Sequence, residues 1–80
     1  MKSEEKLLSR IIVDPKIMVG KPIIKGTRIP VEQILRLLGQ GLTTEQILKD
    51  YPHITKDDIL AAILYAAKIT SKEEVYPTME

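Results

Sequence analysis

The sequence predicts a mainly α-helical fold in which a short N-terminal β element is followed by three helices. Residues 10–31 are rich in isoleucine, valine, proline and glycine, a composition typical of short edge strands joined by tight turns. From residue 31 onward the apolar residues recur at helical spacing, and capping residues divide them into three segments. The 80 residues suffice for one domain, whose core is small enough that self-association would stabilise it.

The β element is expected to be an edge-like hairpin with tight turns. The run "RIIVD" at 10–14 predicts a strand that stops at Pro15. Gly26 can adopt a positive φ without steric cost, so the predicted turn lies at residues 25–27. The residues expected to shape this segment are Gly20, Pro22, Gly26, Thr27 and Pro30.

The first two helices have clear start and stop signals. The run "VEQILRLLGQG" places its large apolar residues on one face, and Gly41 is expected to end that helix in a left-handed conformation. In "TTEQILKDYP", Thr43 and Gln46 have the spacing of a capping box. Pro52 prevents this second helix from continuing.

The third helix is predicted to begin after Thr55, its N-cap, and to close at Lys68. Asp57 and Asp58 lie favourably at the positive end of its dipole. Its predicted core stripe comprises Ile59, Leu60, Ile63, Leu64 and Ala67. The remaining face is small and smooth, which suits close packing against another protein chain, and comprises Ala61, Ala62, Tyr65 and Ala66.

The second and third helices are joined by only four predicted loop residues, 51–54, which matches a helix-turn-helix pattern. Thr55 and Lys56 are the candidates for DNA contact at the start of the third helix. The two aspartates beside them would face phosphates, and this helix has no Arg, Asn or Gln for paired base contacts. Base reading and a three-helix scaffold without base reading both remain open at this point.

The expected organisation is a flexible or weakly helical lead-in at 1–9, a single hairpin plus helix-turn-helix domain at 10–68, and a polar tail at 69–80. The tail is acidic and carries three apolar residues that are candidate partner contacts: Val75, Tyr76 and Met79. Such a segment is expected to order on binding. Tyr65 is a further candidate partner contact.

Composition argues against several classes of function. There is no cysteine and only one histidine, so a disulfide framework and a metal site built by one chain are not expected. No apolar run is long enough for a membrane span or a signal peptide, which predicts a cytoplasmic protein. "GKPIIKGTR" at 20–28 has the wrong glycine spacing for a phosphate-binding loop, and Pro22 removes an amide. No nucleophile or acid–base motif is present, so we expect a non-enzyme without cofactor or small-molecule substrate.

Charge is divided along the chain. Residues 1–28 contain seven basic and three acidic residues, net +4, whereas residues 29–80 contain five basic and eight acidic residues, net −3. A polyanion should therefore be attracted first to the N-terminal third. The candidate phosphate contacts in that part of the chain are Lys16, Lys21, Lys25 and Arg28.

The run from residue 11 to about 66 resembles the domain-of-unknown-function family 433, a set of small prokaryotic proteins. The most specific part of the resemblance is "DP" at 14–15, "GKP" at 20–22 and "GTRIPV" at 26–31, followed by Gly41 and "YP" at 51–52. The resemblance implies a homeodomain-like or winged-helix-like three-helix fold. It also implies a VapB-like antitoxin, encoded beside a small PIN-like nuclease toxin.

The resemblance and the residues together give three functional hypotheses. The first is a homodimeric antitoxin that binds and neutralises a PIN-like nuclease and also contacts operator DNA. The second is a helix-turn-helix transcription regulator without a toxin partner. The third is a homodimeric protein-interaction module that binds neither.

Overall fold

A computed structural model describes residues 3–72 of the chain. Within this range the protein is mainly helical, with four helices and one two-stranded antiparallel sheet. The helices are α1 (Glu4–Leu8), α2 (Val31–Gly39), α3 (Thr44–Asp50) and α4 (Lys56–Lys72), and the strands are β1 (Ile11–Val13) and β2 (Pro22–Ile24). The predicted short β element followed by three helices is therefore confirmed, and α1 adds a fourth helix.

The sheet is a short hairpin in which Ile11 pairs with Ile24 and Val13 pairs with Pro22. The segment that follows β2 folds back onto this strand, because the Ile24 amide donates a hydrogen bond to the Ile29 carbonyl at 3.0 Å. Ile23 and Ile24 are fully buried, so β2 joins the hairpin to the helical core. The hairpin is consequently fixed in position relative to the helices.

The helices end where local sequence signals place their ends. Gly41 has a φ of +95° just after α2, as predicted for a left-handed cap. Thr43 and Gln46 form both hydrogen bonds of the capping box at the start of α3, at 2.7 and 3.2 Å. The predicted third helix, α4, runs past Lys68 to Lys72. No described helix is both long enough and apolar enough to span a bilayer.

The predicted core stripe of α4 is right for Ile59, which is buried, and wrong for the larger part of the helix. Ala61 and Ala62, expected on an outer face, are completely buried, whereas Leu60 and Ile63, expected in the core, are 40% and 44% exposed. The reason is that α4 contacts four other elements, namely α1, β1, α2 and α3. Small alanine side chains permit this close approach, and the larger residues remain on the side that no described element covers.

The core lies between α2, α3, α4 and β2. Its buried members are Ile24, Val31, Ile34, Ile47, Ile54, Ile59 and Ala62. Tyr65, a candidate partner contact, is half-buried and packs against this cluster. At the other side of α4, Leu7 of α1 is also buried, although only a frayed or weakly helical segment was expected there.

Candidate interaction surface

The turn that carries Arg28 is held by Thr27. Gly26 has a φ of +83°, and the Thr27 hydroxyl donates to the Ile24 carbonyl at 2.7 Å. The same hydroxyl accepts from the Ile29 amide at 3.0 Å. The Thr27 hydroxyl thus hydrogen-bonds to the backbone on both sides of the turn. Arg28, the next residue, is therefore attached to a well-fixed backbone.

Lys21 is paired with a carboxylate of this chain. Its Nζ lies 2.6 Å from the Glu32 Oε1, and both side chains are about half-exposed. The hydrogen bond from Lys21 and its positive charge hold the pKa of the Glu32 carboxyl below its usual range. The charge of Lys21 is therefore largely compensated, which reduces its expected contribution to phosphate binding.

The other three hairpin cations have no such partner among the described side chains of residues 3–71. Lys16, Lys25 and Arg28 are exposed, and among residues 3–71 no carboxylate lies within 4.0 Å of their charged groups. Lys25 also lines a recess of about 370 Å³ together with Lys6 and Arg10. The predicted cationic character of the hairpin therefore resides in these residues.

The acidic start of α4 is compensated from within the molecule. Arg10 lies just before β1, and its Nη1 is 3.1 Å from the Asp58 Oδ1 while its Nη2 is 3.6 Å from the Asp57 Oδ2. Thr55 caps the helix, because its hydroxyl accepts from the Asp58 amide at 3.3 Å. Lys56 is exposed beside this cluster. The two aspartates are thus structural, and they do not present a bare negative surface.

A left-handed loop joins β1 to β2. Met18, Val19 and Gly20 have φ values of 51°, 54° and 77°, so three consecutive residues lie in the left-handed region. The loop is braced by Asp14, whose Oδ1 accepts from the Lys16 amide at 2.9 Å. Glycine adopts such a φ without strain, but a β-branched valine does not.

This loop exposes apolar side chains. We define the loop patch as Val13, Met18 and Val19, which are 56%, 39% and 95% exposed. Ile17 of the same loop lines a cleft of about 530 Å³ whose other walls include Ile29, Arg28 and His53. The loop patch was not predicted from the sequence. Gly20 at the end of a short loop opened by "DP" is the only local sign that a tight turn is required there.

The solvent side of α4 is a second apolar surface. We define the α4 stripe as Leu60, Ile63, Leu64 and Ala67, of which only Leu64 is half-buried. The sequence does indicate such a surface, because residues 59–67 contain no charged side chain on any face of the helix. A helix that is apolar all round is expected to be covered on all sides.

Val75, Tyr76 and Met79 lie outside the described residues. Between residues 3 and 72, no three His, Cys, Asp or Glu side chains are grouped so that they could hold a metal ion. The described part of the chain thus presents a cationic hairpin and two exposed apolar surfaces, and exposed apolar surfaces are common at contact sites between proteins.

Comparison with known proteins places the chain in a family. The family described as "Protein of unknown function (DUF433)" matches residues 11–66, and the chain belongs to it. The crystal structure of a DUF433 member protein from Anabaena variabilis superposes with a TM-score of 0.74 at 29% identity, covering 85% of this chain and 67% of that chain. The predicted family is therefore confirmed.

Two relatives are similar over shorter segments. An uncharacterized protein from Archaeoglobus fulgidus is 60% identical over 30 residues, which are 38% of this chain and 83% of that protein. The uncharacterized protein y4eO from Sinorhizobium fredii is 33% identical over 52 residues, which are 65% of this chain and 24% of that protein. The chain thus spans about a quarter of the length of the second relative.

Proposed function

We propose that the protein is an antitoxin-type binding protein, a non-enzyme that binds and neutralises a PIN-like nuclease toxin. The nature of the partner follows from the resemblance to family 433, and the way of binding follows from the exposed surfaces. The loop patch makes the first contact with the nuclease. The acidic tail with Val75, Tyr76 and Met79, which lies outside the described residues, is a second predicted contact.

The observation that carries this proposal is the conformation of Val19. Its side chain is 95% exposed while its backbone has φ 54° and ψ 40°. The left-handed conformation costs an L-residue roughly 1–2 kcal/mol, and an exposed side chain recovers none of this by packing. Strain of this kind is concentrated at binding and switch segments, where it holds a contact in position before the partner arrives.

The surroundings of Val19 suit a protein partner. Met18 and Val13 extend the apolar surface, and the cleft beside Ile17 offers a concave apolar wall. Arg28 and His53 line the same cleft and can donate hydrogen bonds to carboxylates of the partner. An exposed apolar centre with polar groups near it is typical of protein interfaces.

The experiment uses the purified chain and the purified product of the adjacent nuclease gene. Size-exclusion chromatography with light scattering should show a complex, and RNA cleavage by the nuclease should decrease in proportion to the bound fraction. If no complex forms at micromolar concentrations and RNA cleavage is undiminished, the antitoxin function is wrong.

One observation favours a second function, contact with operator DNA. Lys16, Lys25 and Arg28 have no carboxylate partner in the described part of the chain, so they are available to phosphates. The connection between α3 and α4 is short, and we propose that these helices form a helix-turn-helix of the homeodomain-like or winged-helix-like type. Because α4 exposes Leu60 and Ile63 on its outer side, the hairpin and not α4 is the proposed DNA contact.

A gel-shift titration on the protein's own promoter across a salt series tests the second function. Replacing Lys25 and Arg28 by alanine should lower the salt slope by about 2, since each neutralised phosphate contributes about 0.9. Lys21→Ala is the matched control and should leave the slope nearly unchanged, because Glu32 already compensates Lys21. The absence of any shift at low salt would remove DNA binding, and with it a regulator that acts without a toxin.

A further inference from the structure

The α4 stripe is an apolar surface that the described elements leave largely exposed, although Ala67 at its C-terminal end lines a recess together with Glu4 of α1. Leu60, Ile63, Leu64 and Ala67 follow the i, i+3, i+4, i+7 spacing, so they lie one above another along two turns of one helix face. Leu60 and Ile63 keep 40% and 44% of their surface exposed. No charged residue interrupts this face between Asp58 and Lys68.

We infer that the occupant of this stripe is a second copy of the same chain, with the two α4 helices packed antiparallel about a point between Ile63 and Leu64. The inference does not depend on the antitoxin function, because it concerns the chain alone. It assigns the α4 stripe to self-association and leaves the loop patch free for another partner.

The sizes of the side chains are complementary in this arrangement. Antiparallel packing places Leu60 opposite Ala67 of the partner subunit, so a large side chain meets a small one at both ends of the contact. Ile63 meets Leu64 of the partner subunit in the middle. A parallel arrangement would instead pair leucine with leucine at one end and alanine with alanine at the other, which crowds one end and leaves a gap at the other.

The charges beside the stripe favour the same orientation. Asp57 and Lys68 are 11 residues apart, about three helical turns, so they flank the stripe on the same side at its two ends. Antiparallel packing brings Lys68 of the partner subunit to the end of the contact where Asp57 lies, so this cation would share with Arg10, 3.6 Å from Asp57, a carboxylate that is only partly exposed. Parallel packing would put Asp57 and Lys68 at different ends of the contact, so this pairing would be lost, and the helix dipoles would also be aligned unfavourably.

Sedimentation velocity on the full chain tests the inference. The wild-type chain should sediment as a dimer, and Ile63→Glu should raise the dimer dissociation constant at least tenfold because it places a charge in the centre of the contact. Ile69→Glu is the matched control: Ile69 is 43% exposed on the same helix but lies six residues away, about 120° around the helix axis and outside the α4 stripe. That variant should remain as dimeric as the wild type.

Disulfide trapping tests whether the two α4 helices are antiparallel, and it does not need a variant that disrupts the dimer. The chain has no cysteine, so single cysteines can be introduced cleanly. A mixture of Leu60→Cys and Ala67→Cys chains should yield a mixed disulfide dimer, whereas Leu60→Cys alone should cross-link at least tenfold less.

A monomeric wild-type chain, a dimer insensitive to Ile63→Glu, or efficient self-cross-linking of Leu60→Cys would overturn the inference. None of these results would affect binding of the nuclease, which is measured separately.

Discussion

Arg10 and Asp58 form an ion pair, with 3.1 Å between Nη1 and Oδ1, that joins the residue before β1 to the first turn of α4. The other carboxylate oxygen of buried Asp58 accepts from the Thr55 amide at 2.9 Å. Asp58 therefore caps α4 and also attaches the hairpin to it. From the sequence alone, the acidic start of α4 argues against binding of nucleic acid by this helix. In the structure, Asp58 instead stabilises the fold.

Replacing Asp58 by alanine should lower the free energy of unfolding by about 2–3 kcal/mol. The variant loses a capping interaction and a charge-assisted hydrogen bond, and it leaves the Thr55 amide unpaired. Asp58→Asn should cost less, because its carbonyl oxygen can still accept from that amide. Urea denaturation measures both, with exposed Lys6→Ala as the control. Equal stabilities for Asp58→Ala and wild type would contradict this structural role.

The orientation of α4 can be tested by two neighbouring truncations. Ile59 is 1% exposed and Leu60 is 40% exposed. Ile59→Ala should lower the free energy of unfolding by about 3 kcal/mol, and Leu60→Ala by less than about 1 kcal/mol. Both should be measured in the Ile63→Glu background, so that self-association does not contribute. Similar losses would agree with the sequence-based core stripe, which contains both residues, and a larger loss for Leu60→Ala would contradict the observed orientation of α4.

Substituting alanine for two of the glycines should change the stability of the protein in opposite directions. Gly26 has a φ of +83°, and a Cβ there would meet nothing within 4 Å, so only the backbone strain counts. Gly26→Ala should therefore destabilise the protein by about 1 kcal/mol. Gly39 lies in α2 with equally open space, and Gly39→Ala should stabilise it by about 0.5–1 kcal/mol. Thermal unfolding followed by circular dichroism measures both variants, and shifts of the same sign would contradict the assigned backbone conformations.

The pairing of Lys21 with Glu32 predicts a small pH dependence. The lowered pKa of Glu32 means that its contribution to stability is present above the pKa of the unfolded chain and is lost as the pH falls through the folded pKa. The pair is exposed, so added salt should weaken the effect. An NMR titration of the Glu32 carboxyl carbon should show its pKa returning toward the usual value in Lys21→Ala and moving less in Arg36→Ala. An unchanged pKa in Lys21→Ala would show that the two groups are not paired in solution.

Local features of this fold could be predicted from the sequence. The capping box of Thr43 and Gln46 and the left-handed Gly41 each depend on a few neighbouring residues with distinctive chemistry. The division into a short β element and three helices follows from a change in apolar period at residue 31. These features need no knowledge of what packs against them.

The features that position the interaction surfaces could not be predicted. Both faces of α4 are apolar, so periodicity alone could not show that Ile59 is buried and Leu60 is exposed. The Arg10–Asp58 contact joins residues 48 positions apart, and nothing local marks such a pair. Val19 has a left-handed backbone, which a β-branched side chain disfavours, so its local sequence preference points away from the observed conformation.

The central claim is that a strained, exposed loop residue contacts the nuclease. Isothermal titration of the adjacent-gene nuclease with Val19→Asn tests it most directly, because asparagine tolerates the left-handed backbone but removes the apolar side chain. We expect a loss of affinity of at least fivefold with unchanged or slightly higher stability, while Ile69→Glu binds like the wild type. Wild-type affinity in the Val19→Asn variant would contradict the claim.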